Sequence, residues 1–294
     1  MSSMNGIIIK AIGGIYTVEA PDGIYECKAR GIFRKNGVSP LCGDKVEISF
    51  SENTPVIEKI FDRKSTIIRP PLANLDALVF VVSTCEPQPN LLLLDKFIAI
   101  AEHKNIKPII VFTKIDKKDF KPYSAIYENC GINVFEVDNV SGKGADKVKT
   151  ALIGKISAFT GNTGVGKSSL LNNIFPELNL ATNEISQKLG RGKHTTRHVQ
   201  LYKLRDGGYI ADTPGFSSFD TKRYDIIFKY EIAECFTEFK PYLGKCRFQD
   251  CSHTKESGCA VIEAVNRGEI SKTRHGNYVT MYEEARLLKE WEHK

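Results

Sequence analysis

The stretch Gly161-Asn162-Thr163-Gly164-Val165-Gly166-Lys167-Ser168 decides how this sequence is read. It has the form G-x-x-x-x-G-K-S/T. A strand is predicted over 155–160 before it, and a helix over 168–175 after it. Strand, glycine-rich turn and helix in that order make a phosphate cradle. The glycines let backbone N–H groups close around an oxyanion, and the helix N-terminus adds its dipole. Lys167 reaches the outer phosphates, and Ser168, followed by Ser169, brings a hydroxyl for Mg²⁺.

Upstream, Thr113-Lys114-Ile115-Asp116 lies at the end of a strand predicted over 108–112. Asp116 can accept hydrogen bonds from guanine N1–H and N2–H₂, and Lys114 can lie over the base. Thr113 stands where most GTPases have Asn and can still tie this loop to the phosphate region. Val140-Ser141-Gly142 is the candidate for a second base-contacting loop. Downstream of the phosphate loop comes Lys193-His194-Thr195-Thr196-Arg197, where a first switch belongs. One of its two threonines, with Thr196 favoured, would close on Mg²⁺ and the γ-phosphate. Asp212-Thr213-Pro214-Gly215 follows a strand predicted over 209–211. Asp212 would hold Mg²⁺ through water, and the Gly215 N–H would meet the γ-phosphate.

These are the working parts of a GTPase in a rotated order. The base-reading motif precedes the phosphate loop instead of following both switches, which defines a circularly permuted P-loop GTPase. The residue after Gly215 is Phe216, which cannot orient an attacking water as a glutamine does in Ras-like enzymes. His194 is the nearest polar candidate for that catalytic task. A phosphate- or RNA-facing role for His194 without catalysis stays open beside it.

The chain of 294 residues has room for two or three domains. Apolar residues make up 41% and charged residues 26%, which fits a folded soluble protein. The longest apolar runs, such as 77–82, are too short to span a bilayer. No signal-peptide core is legible at the N-terminus, so a cytoplasmic location is expected. Net charge is +6, and six Lys/Arg against one acid fall between Ala181 and Arg205. A second basic run, Lys28, Arg30, Arg34 and Lys35, lies in the N-terminal part.

We read residues 1–68 as five short strands, over 7–11, 15–19, 24–30, 45–50 and 56–60, closed into an RNA-binding OB-fold β-barrel. A generic small barrel is the alternative. Arg69-Pro70-Pro71 reads as a stiff linker. Residues 69–221 alternate strands and helices as α/β and form the permuted GTPase domain. Residues 222–294 read as helical, interrupted by Cys246-x₄-Cys251-x-His253-x₅-Cys259. Three thiolates and one imidazole form a closed tetrahedral set for one structural Zn²⁺. The remaining five cysteines, Cys27, Cys42, Cys85, Cys130 and Cys235, are expected to be small buried residues.

With TKID, GNTGVGKSS, GKHTT, DTPGF and the Cys246, Cys251, His253, Cys259 set in this order, the chain resembles the RsgA family of small-subunit-dependent GTPases. The resemblance covers essentially the whole length. It implies a late assembly factor of the small ribosomal subunit, binding rRNA, with its GTP hydrolysis stimulated by the subunit. It also implies GTP/GDP, Mg²⁺ and one Zn²⁺ as ligands, no membrane partner, and a monomer. Two other readings are kept. One is a nucleotide-stabilised RNA-binding scaffold with little turnover. The other is an unrelated P-loop ATPase or kinase, against which Asp116 argues.

Overall fold

The computed structural model describes residues 3–51, 54–119, 121–178, 199–212 and 225–289. The first five strands are β1 (Ser3–Ile12), β2 (Ile15–Ala20), β3 (Gly23–Ala29), β4 (Lys45–Ser51) and β5 (Thr54–Ile60). They run in the order β1-β2-β3-β5-β4, and β4 pairs back onto β1, closing a barrel. The β3–β5 pair is parallel and the other barrel pairs are antiparallel. Alternate residues point inward as the period of a strand dictates, and Ile8, Val18, Cys27, Val46, Ile48 and Ile57 form the barrel core. A short helix, α1 (Gly31–Lys35), follows β3 and buries none of its residues. The basic run thus divides between a strand end and an exposed helix.

Arg69-Pro70-Pro71 is more than a linker. It lies in a tight hairpin between β6 (Thr66–Ile67) and β7 (Leu72–Ala73). Leu72 also forms a bridge with Cys42. Asn74 continues this seam by donating to the Gly43 carbonyl at 2.9 Å and accepting from the Lys64 N–H at 3.0 Å. The buried Asp44 carboxylate holds Arg63 by two bonds of 2.7 Å.

The nucleotide domain begins with β8 (Ala77–Ser83), α2 (Leu91–His103), β9 (Lys107–Thr113) and α3 (Lys121–Glu128). It continues with β10 (Asn133–Val137), α4 (Ala145–Leu152), β11 (Ile156–Thr160) and α5 (Lys167–Ile174), then β12 (Gln200–Lys203) and β13 (Tyr209–Asp212). Strand order is β10-β9-β8-β11-β13-β12, parallel except for β12. A parallel sheet covered on both faces needs apolar residues at every position. Val79 and Val81 face one core with Ile109 and Val111, and Leu78 and Phe80 face the other with Ile110 and Phe112. Because the strands are parallel, the loops after β8, β9, β10 and β11 emerge at one edge of the sheet, the edge at which β13 also ends. Ligand sites of open α/β sheets form at such an edge.

The barrel sheet and the nucleotide sheet are continuous. Lys10 of β1 pairs with Gln200 of β12. Lys203 forms an ion pair with Glu19, and the Tyr209 hydroxyl donates to the same carboxylate at 3.2 Å. Ile7 and Ile9 pack against the core that holds Val199 and Leu201.

Beyond Asp225 the chain winds through short turns into α6 (Ala260–Asn266) and α7 (Lys272–Arg286). Its core contains Phe236, Phe239, Val261 and Tyr278, and it includes Ala99 of α2. Helix α2 is apolar almost all round because it is covered on two sides: Leu94 and Phe97 face the sheet, whereas Leu92 and Ala99 face the C-terminal unit.

Arg274 of α7 is the largest fully buried side chain among the described residues. It donates to Asp95 of α2 at 2.7 Å and to both oxygens of Glu238 at 2.8 and 3.1 Å. Its guanidinium also lies 4.5 Å from the Phe236 ring centroid. Asn277 donates to the second Asp95 oxygen at 2.6 Å. Burial raises the Asp95 pKa, and Arg274 opposes that shift. Removing one partner of such a set strands the other charges away from water. Arg274→Ala is therefore expected to destabilise the chain by about 3–5 kcal/mol, read as a lower denaturant midpoint. A loss under about 1 kcal/mol would show that these carboxylates find other partners.

Candidate nucleotide and metal sites

The phosphate loop joins β11 to α5 across Gly161–Gly166, and two glycines show why the motif needs them. At Gly161 a Cβ would lie 2.5 Å from the Val81 carbonyl oxygen. At Gly166, the residue capping α5, φ is +89°, which other residues rarely adopt. Val165 is buried and anchors the loop, and Leu170, Leu171 and Ile174 seat α5 on the sheet. The first-turn N–H groups of a helix have no carbonyls within the helix, and its dipole favours an anion at that end, where the loop meets α5. Lys167, Ser168 and Ser169 begin this helix, with Asn162, Thr163 and Gly164 on the loop before it.

The candidate base-reading motif sits one loop away. Thr113 is fully buried at the end of β9 and donates its hydroxyl to the Val165 carbonyl at 2.6 Å. The tie expected of Thr113 thus exists, carried by a hydroxyl in place of an amide. Lys114 takes φ +58°, and its carbonyl accepts the Thr84 hydroxyl at 2.8 Å. Its ammonium donates to the Glu86 carbonyl. Ile115 packs on the core below, while Asp116 stands exposed at the rim.

The loop after β10 closes the other side. Asp138 accepts from the Ser141 hydroxyl and from the Val140 N–H at 2.8 Å, bonds that lower its pKa. Val140 is left 88% exposed at the tip, where a flat ligand could lie against it. The residue that sequence reading passed over is Asn139. Its side-chain amide donates to the Gly166 carbonyl at 3.0 Å, and its own carbonyl accepts from Asn173 of α5 at 3.0 Å. The neighbouring Val140-Ser141-Gly142 signal marked the loop but not this contact.

Asp212 closes β13, adjacent to β11. This places it at the same sheet edge as the phosphate loop. His194, Thr195, Thr196, Gly215 and Phe216 lie outside the described residues.

The four zinc-ligand candidates come together. Cys246 Sγ lies 3.4 Å from His253 Nδ1 and 3.8 Å from Cys259 Sγ, and Cys259 Sγ lies 3.5 Å from His253 Nδ1. With Cys251, all four ligand atoms lie within 4.8 Å of one another. Zn–S bonds of about 2.3 Å put tetrahedral sulfurs about 3.8 Å apart, so the set fits one zinc ion. Burial pushes the Cys251 thiol up to about 12, and because zinc takes the thiolate, binding at this set would release protons. Burial also lowers the His253 pKa, favouring the neutral imidazole that ligates.

Supports beyond the ligands were not legible in sequence. His253 takes φ +57°, and its carbonyl lies 2.8 Å from His275 Nε2. The Tyr278 hydroxyl donates to the Ser252 carbonyl at 2.6 Å. Burial works against the Glu256 carboxylate, yet bonds from the Ser252 hydroxyl and nearby backbone N–H groups bring its pKa down to about 2. Among the other cysteines, Cys27, Cys42, Cys130 and Cys235 are buried as expected. Cys85 is half-exposed, because its loop lies at the open sheet edge.

An OB-fold barrel, a phosphate loop clasped by an upstream base-reading loop, and a Cys₃His cluster together define a circularly permuted GTPase with a zinc-binding helical unit. A family model described as RsgA GTPase matches residues 60–222, and one described as RsgA N-terminal domain matches residues 5–56. The chain is 42% identical to the small ribosomal subunit biogenesis GTPase RsgA of Ruminiclostridium cellulolyticum, over 98% of this chain and 96% of that protein. It is 41% identical to the Lactococcus lactis protein of the same name, over 97% and 96%. Among solved structures it resembles YjeQ from Thermotoga maritima, with a TM-score of 0.83, 33% identity, and 98% and 100% coverage. It also resembles YloQ, described as a circularly permuted GTPase, with a TM-score of 0.80, 32% identity, and 97% and 96% coverage. The chain belongs to the RsgA family and is a GTP-hydrolysing enzyme.

Proposed function

We propose that this GTPase acts in late biogenesis of the small ribosomal subunit, and that the subunit stimulates its hydrolysis. The observation that carries this reading is a sheet edge that gathers the phosphate loop, the loop of Thr113–Asp116 and the end of β13, in a domain joined to a barrel and to the unit with the Cys₃His cluster. The barrel meets β12 through Lys10 and Gln200, and the zinc unit meets α2 through Arg274 and Asp95. The names of the full-length relatives from R. cellulolyticum and L. lactis support the ribosomal assignment. Lys28, Arg30, Arg34 and Lys35 are exposed on the barrel and supply charge for rRNA, with the zinc unit as a second contact.

In this reading the domains are 1–68, 69–221 and 222–294. Asp116 reads guanine, with Thr113, Lys114 and Ile115 shaping its loop, and residues 161–169 bind the phosphates. Lys167 stabilises charge on the outer phosphates, and Ser168 and Asp212 serve Mg²⁺. Thr196 closes the first switch, Gly215 senses the γ-phosphate, and His194 positions water. The protein works as a cytoplasmic monomer with no membrane partner. No described helix is long and apolar enough to cross a membrane.

Because Phe216 cannot orient water, hydrolysis by the free protein should be slow. Completing a missing catalytic contact is worth about a hundredfold or more in rate. Purified small subunits are therefore expected to raise GTP turnover by about that factor. Equal turnover with and without them would overturn the coupling, and would favour a scaffold in which nucleotide is only structural.

A further inference from the structure

We propose that Asn139 is a positioning residue that holds the base-binding edge and the phosphate loop at one separation, so that guanine and the β-phosphate are bound as a unit. Three observations carry this. First, the Asn139 amide donates to the Gly166 carbonyl at 3.0 Å, and that carbonyl also accepts the Leu170 N–H at 2.9 Å. Asn139 thus holds the carbonyl that starts α5, at the point where the phosphate-facing N–H groups begin. Second, a Cβ at Gly166 would lie 2.7 Å from the Asn139 nitrogen. Glycine at that position makes room for Asn139 as well as for the loop's backbone turn. Third, the Asn139 backbone carbonyl accepts from Asn173 at 3.0 Å, six residues beyond Lys167 on α5. The loop after β10 is therefore fastened to α5 at two points.

Thr113 completes the clasp from the neighbouring loop through its 2.6 Å bond to Val165. The consecutive carbonyls of Val165 and Gly166 are held by two different base-side loops. A hydroxyl is shorter than the asparagine amide commoner at position 113, and the amide in this clasp comes instead from Asn139. The Asn139 carbonyl oxygen of the side chain is buried and has no hydrogen-bond partner among the described residues. An asparagine with half its capacity unused costs more to bury than an alanine. Its bond to Gly166 offsets part of that cost.

The clasp rests on residues 113–116 reading the base. Its test uses the full chain and competition against a fluorescent GDP analogue. Asn139→Ala is expected to weaken GDP binding about tenfold, and Asn139→Asp more, because a carboxylate then faces the Gly166 carbonyl. GMP, which lacks the β-phosphate, should lose less than about twofold, so the GDP-to-GMP affinity ratio falls. A purely structural role would lower both affinities together. Asn139→Ser, keeping a short donor, should fall between wild type and Ala and serves if the Ala variant does not fold. The proposal is overturned if GDP affinity stays within about twofold of wild type, or if GDP and GMP affinities drop by the same factor. Failure of the base-reading assignment has a separate signature, namely unchanged guanine preference in Asp116→Asn.

Discussion

Asp116→Asn is expected to move the nucleotide preference from guanosine toward xanthosine by about two to four powers of ten. A carboxylate accepts from both guanine N1–H and N2–H₂, and each bond to a charged acceptor contributes about 1.5–3 kcal/mol. Two such bonds sum to about 3–6 kcal/mol, and every 1.4 kcal/mol is tenfold in affinity. The isosteric amide can accept one N–H and donate to the xanthine 2-oxygen, so the new partner is recognised as the old one is lost. The scaffold should be unaffected, because Asp116 is exposed at the rim while the buried contacts of its loop belong to Thr113 and Ile115. Competition of GDP and XDP against a labelled guanine nucleotide measures the change. An unaltered preference for GDP would remove Asp116 from base reading.

Cys259→Ser should abolish stoichiometric zinc and loosen the whole C-terminal unit. Cys259 is 1% exposed, touches both Cys246 and His253, and precedes the first residue of α6. A serine hydroxyl is a poor zinc ligand, and three donors leave an open coordination position. Structural zinc contributes about 10–16 kcal/mol in finger peptides, more than the total stability of most domains. The expected outcome is less than about a tenth of an equivalent of zinc by elemental analysis, with new protease cleavage beyond Asp225. A strong chelator should reproduce this in the wild-type chain. Wild-type protein without zinc, or a Cys259→Ser chain that keeps a full equivalent, would refute the metal assignment.

Much of the site could be read beforehand because its chemistry is local. The phosphate loop, TKID and the cysteine cluster are each confined to about a dozen residues, where spacing alone limits geometry; DTPG is as local, but Thr213, Pro214 and Gly215 lie outside the described residues. The strands of the nucleotide domain were legible for a similar reason: a parallel strand buried on both faces must be apolar throughout, as Ala77–Ser83 is. Asn139 was hidden because nothing marks an isolated asparagine in a loop. Its partner, Gly166, is 27 positions away. Asp95 and Arg274 were hidden more deeply. A charged residue in a helix ordinarily predicts a solvated face, and only the packing of α7 on α2 turns these two, 179 positions apart, into a buried pair.

The permuted connectivity follows from the order of motifs along the chain, as does the direct passage from DTPG into the unit with the cysteine cluster. Connectivity is a property of the chain, so no folding was needed to see it. Tertiary structure alone decided how the three units are joined. The barrel shares a sheet with the nucleotide domain through Lys10 and Gln200, and the zinc unit shares a core with α2 around Ala99 and Arg274. Strand pairing and buried charge satisfaction both depend on which surfaces meet, and residues that meet across a hundred or more positions leave no periodic trace in the sequence.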